Sequence, residues 1–426
     1  MLFRKVIRRI KSEYDNDQWI LSTTDAALYL AIGGFIDDAN RLLTEIWKYR
    51  LPYDRTTWLA DRAFEIFWYA SGKRPPKVPF EKIDINELEI SYRDYLIDPS
   101  WASQWTQSTD PITKGMVIAS TKDRKFPDSK TELEALNYFL LYLDDVKEEH
   151  PSQVRTALSL ATELAARNNK ENIAIDILKK WANKFDKYPY DWAVTLIGCN
   201  RHVAPLLIKG IISVELGLSK DQCKKFVDEA IAAIDYRMKN GLSLVYEDLD
   251  WNQLLQKLSA LSISKEPEEY TELQRQNKWI GNDPAVANVI SVTEKKMGVT
   301  FPDDYKYFLK TSNGFSRFPL VNPSIAPIEK VDYLKNIYIA TYGDTSMFEI
   351  IQGYPDKNGD GDIAPLIEKA IAISSIPDEQ EIWLIPPVEK DKDWECWFFA
   401  AWMPGERRYK SFRYFIEEQI QQLEDD

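Results

Sequence analysis

The chain has 426 residues, 44% of them hydrophobic and 13% aromatic, a composition that excludes a globally disordered polypeptide. At roughly 100–200 residues per domain, that length implies two or three domains. A formal net charge of −13 argues against nucleic acid as the main partner, because neutralising phosphates requires clustered Lys and Arg.

The first segment places Leu2, Phe3, Val6, Ile7 and Ile10 on one helical face and Arg4, Lys5, Arg8 and Arg9 opposite. Such a helix either lies on an anionic membrane or docks on the next hairpin, and its shortness favours docking. Arg8-Arg9 is followed by Lys11, Glu13, Asp15 and Asp17 rather than an apolar run, so no export signal is expected. No stretch approaches the roughly 18 apolar residues of a membrane span.

Residues 1–265 are predicted to be an all-α domain of helical hairpins. Ala26–Tyr49 breaks at Gly33-Gly34, Ala157–Phe185 at Asn168-Asn169, and Leu206–Met238 at Gly217. The hairpin spacing is irregular, so a solenoid-like stack is allowed without a strict repeat. Ser71–Phe80 carries three prolines and cannot be regular helix. Asp98–Asp128, with Pro99, Pro111 and Pro127, is expected to be loop with short helices. A charged stretch containing Pro267, Ser264–Thr271, is the predicted boundary.

The second domain, 271–426, is predicted to be α+β. Asp283-Pro284 has the form of an acidic N-cap followed by proline at the first helical position. Gly298 stops that helix. Pro302, Asp303 and Asp304 open the next, whose apolar face is Tyr305, Phe308 and Leu309, and Asn313-Gly314 ends it. Strands are expected at Ile337–Thr341, Met347–Ile351, Ile371–Ile376, Glu381–Ile385 and Cys396–Trp402. Pro404-Gly405 makes a turn, and Ser411 caps a last helix bearing Phe412, Phe415, Ile416, Ile420 and Leu423.

The run from Ile290 through Gly298, Phe301-Pro302, Tyr305, Phe308-Leu309 and Asn313-Gly314 resembles the signature of the SUKH superfamily. So does the end of the chain, Trp394–Trp402 with Gly405 and Phe412. The superfamily includes yeast cell-wall-synthesis regulators and bacterial immunity proteins that neutralise toxins. The resemblance covers only the C-terminal domain. It implies a sheet packed on helices and a domain that works by binding a protein. It brings no catalytic residue: Gly298, Pro302, Tyr305, Asn313, Gly314, Trp402, Gly405 and Phe412 are architectural positions.

Candidate chemistry is sparse. The cysteines Cys199, Cys223 and Cys396 are odd in number and widely spaced, which excludes a disulfide framework and points to a reducing, cytoplasmic compartment. The only histidines are His150 and His202; Cys199 and His202 could share a helix face, but two ligands do not make a zinc site. Asp356, Asn358 and Asp360 copy calcium-loop positions, with Gly361 and Asp362 following. Ile367 stands where such a loop needs a glutamate, so a polar turn is the competing reading. No motif of nucleophilic, phosphate-binding or metalloprotease chemistry is present, and no cofactor is expected. Trp394 lies among Asp391, Asp393 and Glu395, an aromatic anchor in an acidic rim, or else a charged edge strand. The net charge is −4 over residues 1–270 and −9 over 271–426, so the C-terminal domain is the more acidic. The expected working surface comprises Asp356, Asp360, Asp362, Asp391, Asp393, Trp394 and Glu395. The expected function is non-catalytic binding and neutralisation of a cognate, basic toxin; a regulatory scaffold is the alternative.

Overall fold

The structure, a computed structural model, describes residues 2–14, 16–49, 66–68, 70–73, 84–122, 124–145, 151–182, 200–319, 323–353, 363–374, 380–387, 393–400, 402 and 405–425. It divides into two compact units. One comprises Leu2–Ile10 and Asn16–Gly241; the other comprises Leu242–Asp426 with the short segment Lys11–Asp15.

The first unit is helical. Helix α1 (Leu2–Ser12) buries Val6 and Ile10, and Phe3 stacks on Phe226 at 4.0 Å. Its apolar face is therefore spent on this unit's core rather than left for a membrane. Helices α2 (Asn16–Ile32) and α3 (Ile36–Ile46) form the first hairpin. The turn between them is a glycine turn for a steric reason. Gly34 has φ +87°, and a Cβ there would stand 2.6 Å from the Gly210 backbone. The stretch expected to be mainly loop contains α5 (Pro99–Gln104) and α6 (Pro111–Ala119), following α4 (Ile85–Leu96). Asp110 caps α6 by accepting from the Thr113 amide at 3.0 Å, and Asp128 caps α7 (Ser129–Asp144) through Thr131. Helices α8 (Pro151–Arg167) and α9 (Glu171–Ala182) turn at Asn169, which takes a left-handed φ of 56°. After the short α10 (Ala204–Leu207), the long α11 (Lys220–Asn240) packs on α3.

The second unit begins earlier than the charged stretch at 264–271. Helix α12 (Trp251–Lys265) belongs to it, with Leu254, Leu255 and Leu258 wholly buried in its core. The segment before α12 is fastened to the last helix, α19 (Phe412–Asp425). Glu417 accepts from the amides of Val245 and Tyr246, and Arg413 donates to the carbonyls of Tyr246 and Leu249. Between them lie α13 (Glu272–Asn277), α14 (Ala287–Met297) and α15 (Asp303–Thr311).

Five antiparallel strands form one sheet in sequential order: β1 (Asp332–Tyr333), β2 (Ile371–Ala372), β3 (Gln380–Ile385), β4 (Glu395–Ala400) and β5 (Glu406–Tyr409). Helices cover both faces. Ile382, Leu384, Cys396, Phe398 and Tyr409 pack with residues of α12, α15 and α19. Trp383, Ile385, Trp397 and Phe399 face a smaller cluster drawn from α16 (Leu334–Tyr342), α17 (Ser346–Gln352) and α18 (Ala364–Ile367). These helices correct two predicted strands. Ile337–Thr341 and Met347–Ile351 are helical, because the sheet's second face needs an apolar cover. The helix expected from Asp283-Pro284 starts instead at Ala287. The Asp283 carbonyl is taken by the Asn313 amide, and the Ala285 amide by the Leu309 carbonyl, so this segment runs extended along the end of α15.

Candidate functional site

The signature positions are structural, each in a definable way. Gly298 ends α14 with φ +68°. Pro302 is the N-cap of α15 rather than its first residue. Tyr305 is fully buried between Phe301, Phe308 and Phe412, and its hydroxyl has no hydrogen-bond partner among the described residues. Asn313 does more than end a helix: its Oδ1 accepts from the Ile328 amide at 2.8 Å and its Nδ2 donates to Glu329. Gly314, at φ +90°, has the Ile325 carbonyl 2.8 Å from where a Cβ would sit. Gly405, at φ +75°, precedes β5, and Phe412 is core. Trp402 is a correction. The ladder ends at Ala400, and Trp402 lies beyond it, 59% exposed.

Of the expected working surface, Asp356, Asp360, Asp362 and Asp391 lie outside the described residues, as does Asn358 of the calcium-like loop. Among the described residues no group of three or more His, Cys, Asp or Glu could hold a metal ion. Asp393 is exposed, Trp394 is partly buried against the core, and Glu395 begins β4. That strand pairs with β3 on one side and β5 on the other, so Glu395 does not begin an edge strand.

Asp393 and Glu395 share the lining of a pocket of about 350 Å³. The pairing brings Ile385 opposite Glu395, and Arg408 opposite Trp397. Pro386, Pro387 and Leu366 add apolar wall; Tyr14, Arg408 and Lys410 complete the lining. Glu395 is held from two sides. Tyr14 donates its hydroxyl to Oε1 at 2.7 Å, and Trp397 donates its indole N–H to Oε2 at 2.6 Å. Burial pushes the Tyr14 phenol up to about 12, and the neighbouring Glu395 charge adds to the shift. Both donors are therefore neutral near pH 7 and supply no positive charge of their own. Arg408 is differently placed. It bonds the buried Glu406 at 2.5 Å and lies 4.4 Å above the Trp397 ring.

The Glu395–Trp397 arrangement has a twin on β3. Trp383 donates its indole N–H to Glu381 at 2.8 Å, and Tyr338 donates its hydroxyl to the same carboxylate. Glu381 is 2% exposed, and burial raises its carboxyl to about 7, against the lowering effect of those two donors. Sequence reasoning passed over this pair. The repeated string Glu-x-Trp, at 381–383 and 395–397, was the available signal, since a period of two puts each pair on one face.

A second polar assembly lies inside the helical unit. Arg93 is fully buried and paired with Glu132 at 2.9 Å and with Glu163. Arg167 reaches Glu132 at 3.3 Å, and both guanidinium groups lie over the Phe126 ring. Glu89, 2% exposed, has Arg201 at 3.3 Å and Arg167 at 3.6 Å, and burial raises its carboxyl. His202 lies in a turn rather than on a helix. Burial and the adjacent Arg167 and Arg201 depress its ring to about 4, so it is neutral at pH 7. Three arginines thus face three glutamates. The self-compensated charge fits a packing hub better than a catalytic centre.

Cys223 and Cys396 are buried free thiols raised by desolvation, which makes them inert as nucleophiles; Cys199 is outside the described residues. Among the described residues no helix is long and apolar enough to cross a membrane. No curated protein matches the chain. Residues 284–418 match the model of the SMI1 / KNR4 family (SUKH-1); the match spans less than half of the chain, so it is the C-terminal α+β domain that is of SUKH type.

Proposed function

We propose that the protein works by binding another protein rather than by catalysis, and that its partner is a toxin which it neutralises in the cytoplasm. The observation that carries this reading is the SUKH-1 match over residues 284–418. SUKH domains are known in toxin immunity and related roles. The charge of −9 over residues 271–426 adds support, since it suits a basic toxin drawn in by electrostatic steering. On this reading Asp393 and Glu395 belong to the contact surface, and the helical unit either extends that surface or braces the domain.

The test is co-expression of the full chain with the toxin encoded beside its gene. Restored growth and co-purification of the pair are expected. Full toxicity at good expression of the chain refutes the reading. A second reading, a regulatory scaffold, draws on the presence of two compact units with separate cores. It predicts that affinity capture returns cellular proteins through both units, and recovery of a single small toxin counts against it.

A further inference from the structure

We propose that the pocket between Tyr14, Ile385, Asp393, Glu395 and Lys410 receives one cationic side chain, Arg or Lys, of the partner protein. This rests on the partner-binding reading and names the chemistry of its anchor. Three observations carry it. The first is the distribution of charge around the cavity. Arg408 lines the pocket, but its charge is already matched by the buried Glu406 at 2.5 Å. Neither hydrogen-bond partner of Glu395, the Tyr14 phenol or the Trp397 indole, brings a positive charge to set against the carboxylate. Asp393 has no hydrogen bond or ion pair among the described residues. Among the described residues of the lining, with Arg408 set against Glu406, the remaining charges are two carboxylates and Lys410, a net negative set.

The second observation is the fixed position of Glu395. Both of its oxygens are held at 2.6–2.7 Å by groups from different parts of the chain. A carboxylate accepts about four hydrogen bonds, so Glu395 retains capacity for an incoming N–H without moving. It therefore loses little entropy on binding. The third is the wall. Pro386, Pro387, Ile385 and Leu366 offer apolar surface to the methylene stem of Lys or Arg, while the head meets Asp393 and Glu395. Both carboxylates line this one cavity, Glu395 from the first position of β4 and Asp393 from the segment just before it. A volume of about 350 Å³ takes a side chain rather than a folded segment.

The experiment uses the full chain, without any partner. The indole N–H of Trp397, assigned by its loss in Trp397→Phe, reports on the pocket in a nitrogen–proton correlation spectrum because it is bonded to Glu395. The probes are Nα-acetyl-arginine amide, Nα-acetyl-lysine amide and Nα-acetyl-glutamate amide at millimolar concentration. The two cations are expected to shift the signal saturably and the anion is not. Asp393→Asn and Glu395→Gln should each weaken the cation by about two- to fivefold, the reach of partly exposed charge pairs. Lys410→Gln should strengthen it. Because Asp393 is exposed and Lys410 only partly buried, their variants remain informative if Glu395→Gln fails to fold. An equal response to the anion, weaker cation binding in Lys410→Gln, or no response of the folded protein overturns the proposal. None of these outcomes depends on a toxin, so failure here leaves the growth-rescue test standing, and failure of that test leaves this one standing.

Discussion

Replacing Arg93 by Met is the sharpest probe of how the helical unit is held. Arg93 is fully buried and bonds Glu132 and Glu163, themselves 3% exposed each. Methionine fills most of the volume but leaves two carboxylates facing each other without their shared cation. Breaking a buried pair on one side costs about 3–5 kcal/mol, most of it the penalty for the charge left behind. Arg167 still reaches Glu132 at 3.3 Å and offsets part of that loss, so Glu163 carries the larger share. The expected result is a loss of about 3–4 kcal/mol, read as a lower urea midpoint with an unchanged slope in far-ultraviolet circular dichroism. Adding Glu132→Gln and Glu163→Gln should recover part of the loss, because the polar set is then removed together. A change below about 1 kcal/mol at pH 7, or a triple variant worse than the single one, would show that water already reaches these carboxylates and refute the argument.

Three further outcomes follow from the C-terminal unit. Glu381 is raised to about 7 in the fold against an ordinary 4.5, so its contribution is complete below pH 4.5 and is lost as pH rises through 7. Wild-type stability should therefore fall by up to about 3 kcal/mol relative to Glu381→Gln between pH 4.5 and 8, measured by chemical denaturation at each pH; parallel profiles would exclude the ionisation. Tyr305→Phe removes a buried hydroxyl that has no partner among the described residues, and should be neutral or stabilising by up to about 2 kcal/mol in thermal unfolding. A clear loss would mean that the hydroxyl is satisfied after all. Gly314→Ala must pay for both φ +90° and a carbonyl at 2.8 Å, whereas Gly298→Ala, at φ +68° in open space, pays for backbone alone, about 1–2 kcal/mol. Equal losses in the two variants would contradict the steric account.

Local features were legible in the sequence. Gly33-Gly34, Asn168-Asn169 and Gly298 break or end helices where they were expected to, because a turn depends on the residues at the turn. The helix over Asp303–Thr311 and its buried face were readable for the same reason. Ile337–Thr341 and Met347–Ile351 were not, since a short apolar run fits strand and helix equally until its packing partner is known. Asp283-Pro284 has the form of a helix start, but its backbone groups are claimed by residues of the next helix. The candidate pocket was half visible. Asp393 and Glu395 are close in sequence, but Tyr14 lies 381 positions from the carboxylate it binds. Arg93 likewise lies 39 and 70 positions from its partners, beyond the reach of any spacing rule.

The membership of Lys11–Asp15 in the C-terminal unit bears on how the chain is made. At synthesis rates of about 5–20 residues per second, the 381 positions between Tyr14 and Glu395 correspond to roughly 20–80 seconds. Throughout that interval the helices on either side of the segment can fold, while Glu13 and Tyr14 wait for Arg407 and Glu395 to leave the ribosome. The C-terminal unit is thus completed by a residue made 381 positions before the one it bonds. A recombination event that exchanged only residues 284–418 would deliver a recipient domain lacking both the Tyr14 clasp on Glu395 and the α12 wall of its core.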